Sequence, residues 1–209
     1  MLDEWDWIKL DIALIKSSQS NGTITDEKLR SLMEGMPMMK NWRLLINGLL
    51  DDGAKVAIVS GGLQQTAKDI AAQFPSSKPW SRRWGGIDRF TAGRFGEGYD
   101  SKLSVFTNGW LRGKRNSNGN YEVDDFGRYQ VQMNGKGAIV KMLQRRYGIP
   151  KDKTASVGDS AGDIGMFQES ALAICFNPWD KKPLEYCDEV VEQKDLAIVL
   201  DKITTKFSK

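Results

Sequence analysis

The stretch TASVGDSAGDIGMF, residues 154–167, decides how this chain is read. A short apolar run, Ala155-Ser156-Val157, leads into Gly158-Asp159, and a second carboxylate, Asp163, follows four residues later. The run reads as a buried strand, with a helix expected from Ile164 onward. Ligands of α/β proteins gather beyond the carboxyl ends of parallel strands, where side chains converge on a crevice. Two acidic oxygens there suit a hard cation such as Mg²⁺, which keeps several waters and takes one or two carboxylates. A helix N-cap uses the same residue type. Both roles stay open on this stretch alone.

Working outward, Asn134-Gly135-Lys136-Gly137 opens a helix expected over 138–147, which Gly148-Ile149-Pro150 stops. Downstream, residues 172–176 read as a strand ending in Asn177-Pro178. Val190-Val191 reads as a last short strand, and 195–207 as a terminal helix. Upstream, a helix over 38–50 carries Trp42, Leu45, Ile46 and Leu49 on one face and stops at Asp51-Asp52-Gly53. The continuous apolar run 55–59 follows, the signature of a strand buried on both faces. It ends in Ser60-Gly61-Gly62, and a helix over 64–74 comes next. Helix, strand, glycine turn and helix in repetition imply the α/β class, with a doubly wound parallel sheet.

Two stretches lie outside that repeat. Residues 1–16 place Trp5, Ile8, Ile12 and Ile15 at three- and four-residue steps, an amphipathic helix in which Trp5 and Trp7 are expected to pack. Thr25-Asp26-Glu27-Lys28 resembles a capping box that opens a second helix through about Glu34. Residues 75–132 are rich in Gly, Trp and Arg. There, 99–111 and 121–133 read as strands of a hairpin joined by Asn-Gly turn material at 116–120.

Bulk properties exclude several function classes. Lysine and arginine number 30 against 27 acidic residues, a net charge of +3, and the basic residues are scattered, so nucleic acid is not an expected partner. The densest basic patch, Arg112-Gly113-Lys114-Arg115, reads as solvated loop. No run reaches the length of a membrane span, and the first residues do not resemble a secretory signal. Cys175 and Cys187 are expected as free thiols in a reducing, cytoplasmic setting. There is no histidine, which excludes Ser-His and Cys-His nucleophiles and histidine metal sites. Acid–base work must fall to carboxylates, lysine, tyrosine or cysteine.

Three polar turns remain. Ser60-Gly61-Gly62 puts a hydroxyl and bare N–H groups at a helix start, an anion site or simply a tight turn. Lys136 is a cation where a helix dipole does not favour one, either a functional lysine or an exposed one. With Asp159 and Asp163 these form a phosphate cradle, in which positive charge offsets that of a transferring phosphoryl group.

Val56-Ala57-Ile58-Val59-Ser60-Gly61-Gly62, Asn134-Gly135-Lys136-Gly137 and Val157 through Phe167 resemble motifs II, III and IV of the haloacid dehalogenase superfamily, in its phosphoserine phosphatase-like branch. The Lys136–Asp159 interval and Phe176-Asn177-Pro178 agree with that branch. The resemblance implies a Rossmann-like core over 37–209 with a β-rich excursion at about 75–132, and a partial helical cap over 1–36. It implies a Mg²⁺-dependent phosphomonoester hydrolase acting on phosphoserine or a similar small phosphorylated metabolite. Ser60 and Gly61 take the phosphate-binding positions, and Lys136 the position that holds the phosphoryl group beside the nucleophile. Asp159 takes that of the magnesium ligand, and Asp163 that of the second acid completing or supporting its shell.

The family's first motif, Asp-x-Asp-x-Thr/Val at the end of a strand, does not occur before Ser60. Asp11-Ile12-Ala13 lacks the second acid and lies in a helical pattern. The nucleophile is therefore expected to be absent from this chain, through truncation, a split gene or degeneration. The alternative is a catalytically silent module that binds a phosphorylated ligand or a partner protein. A sheet lacking one strand is also expected to favour a homodimer. Gly162 stands where phosphoserine phosphatases usually carry Asn, and the excursion is longer than the family's usual hairpin.

Overall fold

A computed structural model describes residues 4–34, 36–75 and 101–208. The front of the excursion, 76–100, lies outside the described residues. The chain divides into two compact units, Met1–Met36 with Ala57–Val131, and Pro37–Val56 with Gln132–Lys209.

The first unit is built on a three-stranded sheet, β1 (Ala57–Leu63), β2 (Ser104–Arg115) and β3 (Tyr121–Arg128), in that order. β1 runs parallel to β2, and β2 antiparallel to β3. The expected hairpin forms. Its turn is held by Asn116, whose side-chain oxygen accepts from the backbone N–H groups of Asn118 and Asn120, with Gly119 at φ 81° where a Cβ would be strained. Helix α1 (Glu4–Ser17) lays Ile8 and Ile12 into a core with Ile24, Leu29, Trp110 and Val123. Gly127 on β3 makes that approach possible, since a Cβ there would overlap Ile8. Trp7 is more than half exposed, contrary to the packing role expected for it. Ile8 and Ile12, four residues apart, take the buried stripe instead.

Helix α2 (Asp26–Met33) is capped by Thr25, whose hydroxyl accepts from the Lys28 N–H at 3.2 Å. Only this half of a capping box can form, because Lys28 has no acceptor to return. Asp26 is 2 % exposed and accepts from Trp110 Nε1 at 2.7 Å, Arg112 Nε at 2.8 Å and Arg30 Nε at 3.1 Å. A buried carboxylate persists only with such partners. Burial pushes its pKa up, but the Trp110 and Arg112 hydrogen bonds and the two guanidinium charges outweigh it, and the net shift is downward.

β1 departs from expectation in length and cover. It runs through Ser60-Gly61-Gly62 as strand rather than turn, bulging between Ser60 and Leu63, before helix α4 (Gln64–Ala72). Ala57, Gly61 and Gly62 are exposed, because among the described residues β1 pairs on one side only.

The second unit carries the parallel sheet β4 (Ala155–Gly158), β5 (Leu172–Phe176) and β6 (Glu189–Val191). Alternate residues of β5 serve opposite faces. Leu172 and Ile174 join Val191, Val199 and Ile203, against which α3 (Trp42–Asp51) and α7 (Leu196–Phe207) pack. Ala173 and Cys175 join Phe167 on the other face. A strand covered on both faces by helices is the doubly wound arrangement. Gly48 brings α3 close to α7, its missing Cβ leaving room for Leu200. Asp195 caps α7 by accepting from the Ala197 N–H, and also accepts from Asn41 Nδ2 at 2.7 Å and pairs with Lys40 at 2.6 Å. These bonds pull its pKa down to about 2. The remaining helices are α5 (Lys136–Tyr147) and α6 (Ile164–Gln168). Among the described residues, no helix is long and apolar enough to cross a membrane.

Candidate active site

The turn after β4 is shaped by one carboxylate. Asp163, 3 % exposed, sends Oδ2 back to accept from the N–H of Asp159 at 2.9 Å and of Ser160 at 3.1 Å, and from Ser160 Oγ at 3.2 Å. Ser160 and Asp163 form a reciprocal capping box on the 3-10 turn Ala161–Asp163 that leads into α6. The cap is therefore Ser160, with Asp163 as its third-position partner, rather than an aspartate N-cap, and it uses one oxygen of Asp163 only. The other, Oδ1, accepts from Lys136 Nζ at 2.7 Å.

Lys136 reaches this acid because two backbones touch. A Cβ on Gly137 would stand 2.5 Å from the Gly165 carbonyl oxygen, so glycine at 137 lets the start of α5 meet α6. Gly158 is equally required, as a Cβ there would fall on the Asp163 side chain. A lysine at the first position of a helix opposes the dipole. Here the Asp163 carboxylate offsets it, and the ammonium is buried with the rest of the residue.

The two acids are driven apart. Asp163 is raised by burial, yet the Lys136 hydrogen bond and charge and the Asp159 and Ser160 N–H groups outweigh that, so it stays ionised below the usual carboxylate range. Asp159 moves the other way. Partial burial and then the negative charge of Asp163 raise it, and Lys136 only partly counters them. A solvent-facing carboxylate destabilised by its neighbour's charge is offset by a cation beside it, and the all-oxygen donor chemistry suits a hard divalent ion. Among the described residues no three Cys, Asp or Glu side chains gather as a complete ligand set.

Ser60 and Gly61 belong to the first unit. Ser60 Oγ accepts from the Gly62 N–H at 3.1 Å, and the Gly61 carbonyl accepts from Asn108 Nδ2 at 3.0 Å. Asn108, buried on β2, also donates to Val131 O and accepts from the Gln130 and Val131 N–H groups. It clasps the end of β1 to the segment that follows the hairpin, and no sequence signal marks it. Nor does any sequence signal mark Asp180. Its Oδ2 accepts from the Ala161 N–H at 3.1 Å while the Trp179 N–H donates to Asp159 O at 2.8 Å, so the loop after β5 grips the acidic turn. Trp179 itself is 82 % exposed.

Residues 124–203 match the family model for haloacid dehalogenase-like hydrolases. A phosphoserine phosphatase of Methanocaldococcus jannaschii is 36 % identical over 75 residues, covering 35 % of this chain and 34 % of that protein. A phosphoserine phosphatase of Idiomarina loihiensis is 29 % identical over 154 residues, covering 74 % and 56 %. Among solved structures, one titled as a phospho-aspartyl intermediate analogue of phosphoserine phosphatase has a TM-score of 0.65 at 22 % identity, covering 96 % of this chain and 78 % of that one. Over residues 124–203 the chain is similar to haloacid dehalogenase-like hydrolases. The chain spans about a third and about half the length of the two phosphoserine phosphatases it matches.

Proposed function

We propose that this chain provides the phosphate- and metal-binding residues of a Mg²⁺-dependent phosphomonoester hydrolase, acting on phosphoserine or a similar small phosphorylated metabolite. The observation that supports this reading is the buried Lys136–Asp163 pair, 2.7 Å apart, beside the raised carboxyl of Asp159. An ammonium has three donor hydrogens. With one on Asp163 Oδ1, Lys136 is oriented and has two more for a phosphoryl oxygen. Asp159 would hold the ion, and Asp163 supports it by fixing the turn. Bound Mg²⁺ would neutralise charge on the transferring phosphoryl group. Ser60 and Gly61 are proposed as further phosphate-binding residues.

No two aspartates in the chain stand two positions apart, so the Asp-x-Asp-x-Thr/Val signature is not among its residues. We infer that these 209 residues give no turnover by themselves. The same observation supports a second reading, a silent module that binds a phosphorylated ligand or a partner protein. Phosphate release from phosphoserine and para-nitrophenyl phosphate, with and without Mg²⁺, tests both readings when the chain is assayed alone and with a co-expressed strand bearing that signature. Turnover only with the added strand, abolished by Asp159→Asn, supports the hydrolase. Full activity in Asp159→Asn overturns it, and ligand binding without turnover in any combination supports the silent module. The two free thiols favour a cytoplasmic setting. Among the described residues β1 and β4 each end a sheet, and such edges favour pairing, so a homodimer is proposed; a monomer by light scattering would refute it.

A further inference from the structure

We propose that Cys175 and Cys187 form a reversible thiol–disulfide site, closed by a low-molecular-weight disulfide such as oxidised glutathione and reopened by a thiol. They are the only cysteines in the chain. Cys175 lies on β5, and Cys187 just before β6, packed against the cluster of Phe167, Ala173 and Cys175. Two hydrogen bonds fix that placement. The Asp188 N–H donates to Ala173 O at 2.8 Å, and the Ala173 N–H donates to Asp188 Oδ2 at 2.7 Å. They clamp the residue after Cys187 onto β5, two positions before Cys175. The thiols are near enough that Cys187 contributes, after burial, to pushing the Cys175 thiol up to about 11.

Their exposures divide the labour. Cys187 is half-buried, whereas Cys175 is 0 % exposed. A small disulfide therefore meets Cys187 first. The Cys187 thiolate attacks one sulfur of oxidised glutathione, forming a mixed disulfide and releasing glutathione thiolate. Cys175, losing its proton, then attacks Cys187 Sγ and expels the second glutathione. Two thiols are oxidised, one glutathione disulfide is reduced to two thiols, and no other reactant is needed. Closure ties the 3-10 turn Lys182–Glu185 to β5, next to the loop through which Trp179 and Asp180 hold Asp159 and Ala161. The site is independent of the hydrolase reading.

Incubation of the folded protein with oxidised glutathione, followed by mass spectrometry under non-reducing conditions, tests it. Trypsin leaves Cys175 in 154–181 and Cys187 in 182–194, because Lys182 precedes proline. The expected result is a monomer that has lost two hydrogens, carries no glutathione, yields those two peptides cross-linked, and regains both thiols with dithiothreitol. Cys175→Ser should retain one glutathione on Cys187, and Cys187→Ser should remain unmodified while folded. Wild type that retains glutathione, forms only covalent dimers or keeps both thiols free overturns the proposal. The wild-type cross-link decides the matter even if a variant fails to fold.

Discussion

Replacing Lys136 with methionine tests the arrangement that joins α5 to the acidic turn. The ammonium and the Asp163 carboxylate are both buried and 2.7 Å apart. Unit charges at that separation attract by roughly 6 kcal/mol at an effective dielectric of about 20, the value that best describes protein sites. Burying the pair takes back several kcal/mol of that attraction. Asp163 also keeps three other donors when Lys136 is gone. Lys136→Met should therefore destabilise the protein by about 1.5–3 kcal/mol, the range for a hydrogen bond to a charged group. Asp163→Asn leaves the lysine without its counter-charge and should cost about 3 kcal/mol. The double variant should lose less than the sum, with a coupling of about 2 kcal/mol. Urea unfolding of the four proteins, followed by far-UV circular dichroism at pH 7, gives the cycle. Losses that simply add would show that the two side chains do not form the pair, and the case for a preorganised lysine would fall.

Other outcomes follow from the same packing and charge. Asp26→Asn should destabilise the first unit by about 3 kcal/mol, since Trp110 Nε1 and two guanidinium groups lose a charged partner. The folded pKa of Asp26 lies below its ordinary value of 3.8, so its contribution is complete above that pH and is lost as pH falls through the lowered value. Acid unfolding of wild type should thus steepen below pH 3.8 in a way the variant does not, and equal acid profiles would remove Asp26 from that role. Gly137→Ala should destabilise by about 2–3 kcal/mol because its Cβ meets a carbonyl oxygen rather than a flexible side chain. Gly61→Ala has only Asn108 Nδ2 within reach, at 3.9 Å, and should stay within about 0.5 kcal/mol of wild type. Thermal melts of the two variants decide both, and a reversed order would refute the contact geometry.

How far the sequence foretold this molecule depends on the range of the interaction. The β4 turn was legible because its information is local: an apolar run, a glycine, and two acids spaced for a strand end and a helix start. The Ser160-x-x-Asp163 spacing of the capping box lies in the same stretch and could have been read there. Lys136 could be located but not explained, since the acid that pairs with it comes from a turn 27 residues away. Asn108 sits unmarked in a strand and acts through the backbone of Gly61, Gln130 and Val131, all distant in sequence. The 55–59 run suggested burial on both faces, but composition cannot say whether a strand is central or at a sheet's end. Here β1 pairs on one side only among the described residues. The α/β alternation itself survived because β5, covered on both faces, shows the unbroken apolar run that such a position demands.

The central claim, that Asp159 is the metal-binding acid of a phosphoryl-transfer site, is tested most directly by the pH titration of its carboxyl carbon by NMR with and without Mg²⁺. Without metal, Asp159 should titrate above the ordinary 3.8, held up by partial burial and the Asp163 charge. Saturating Mg²⁺ should shift that resonance and carry its titration below the metal-free value, because the ion favours the charged form. A resonance and titration unchanged by Mg²⁺ would contradict the account.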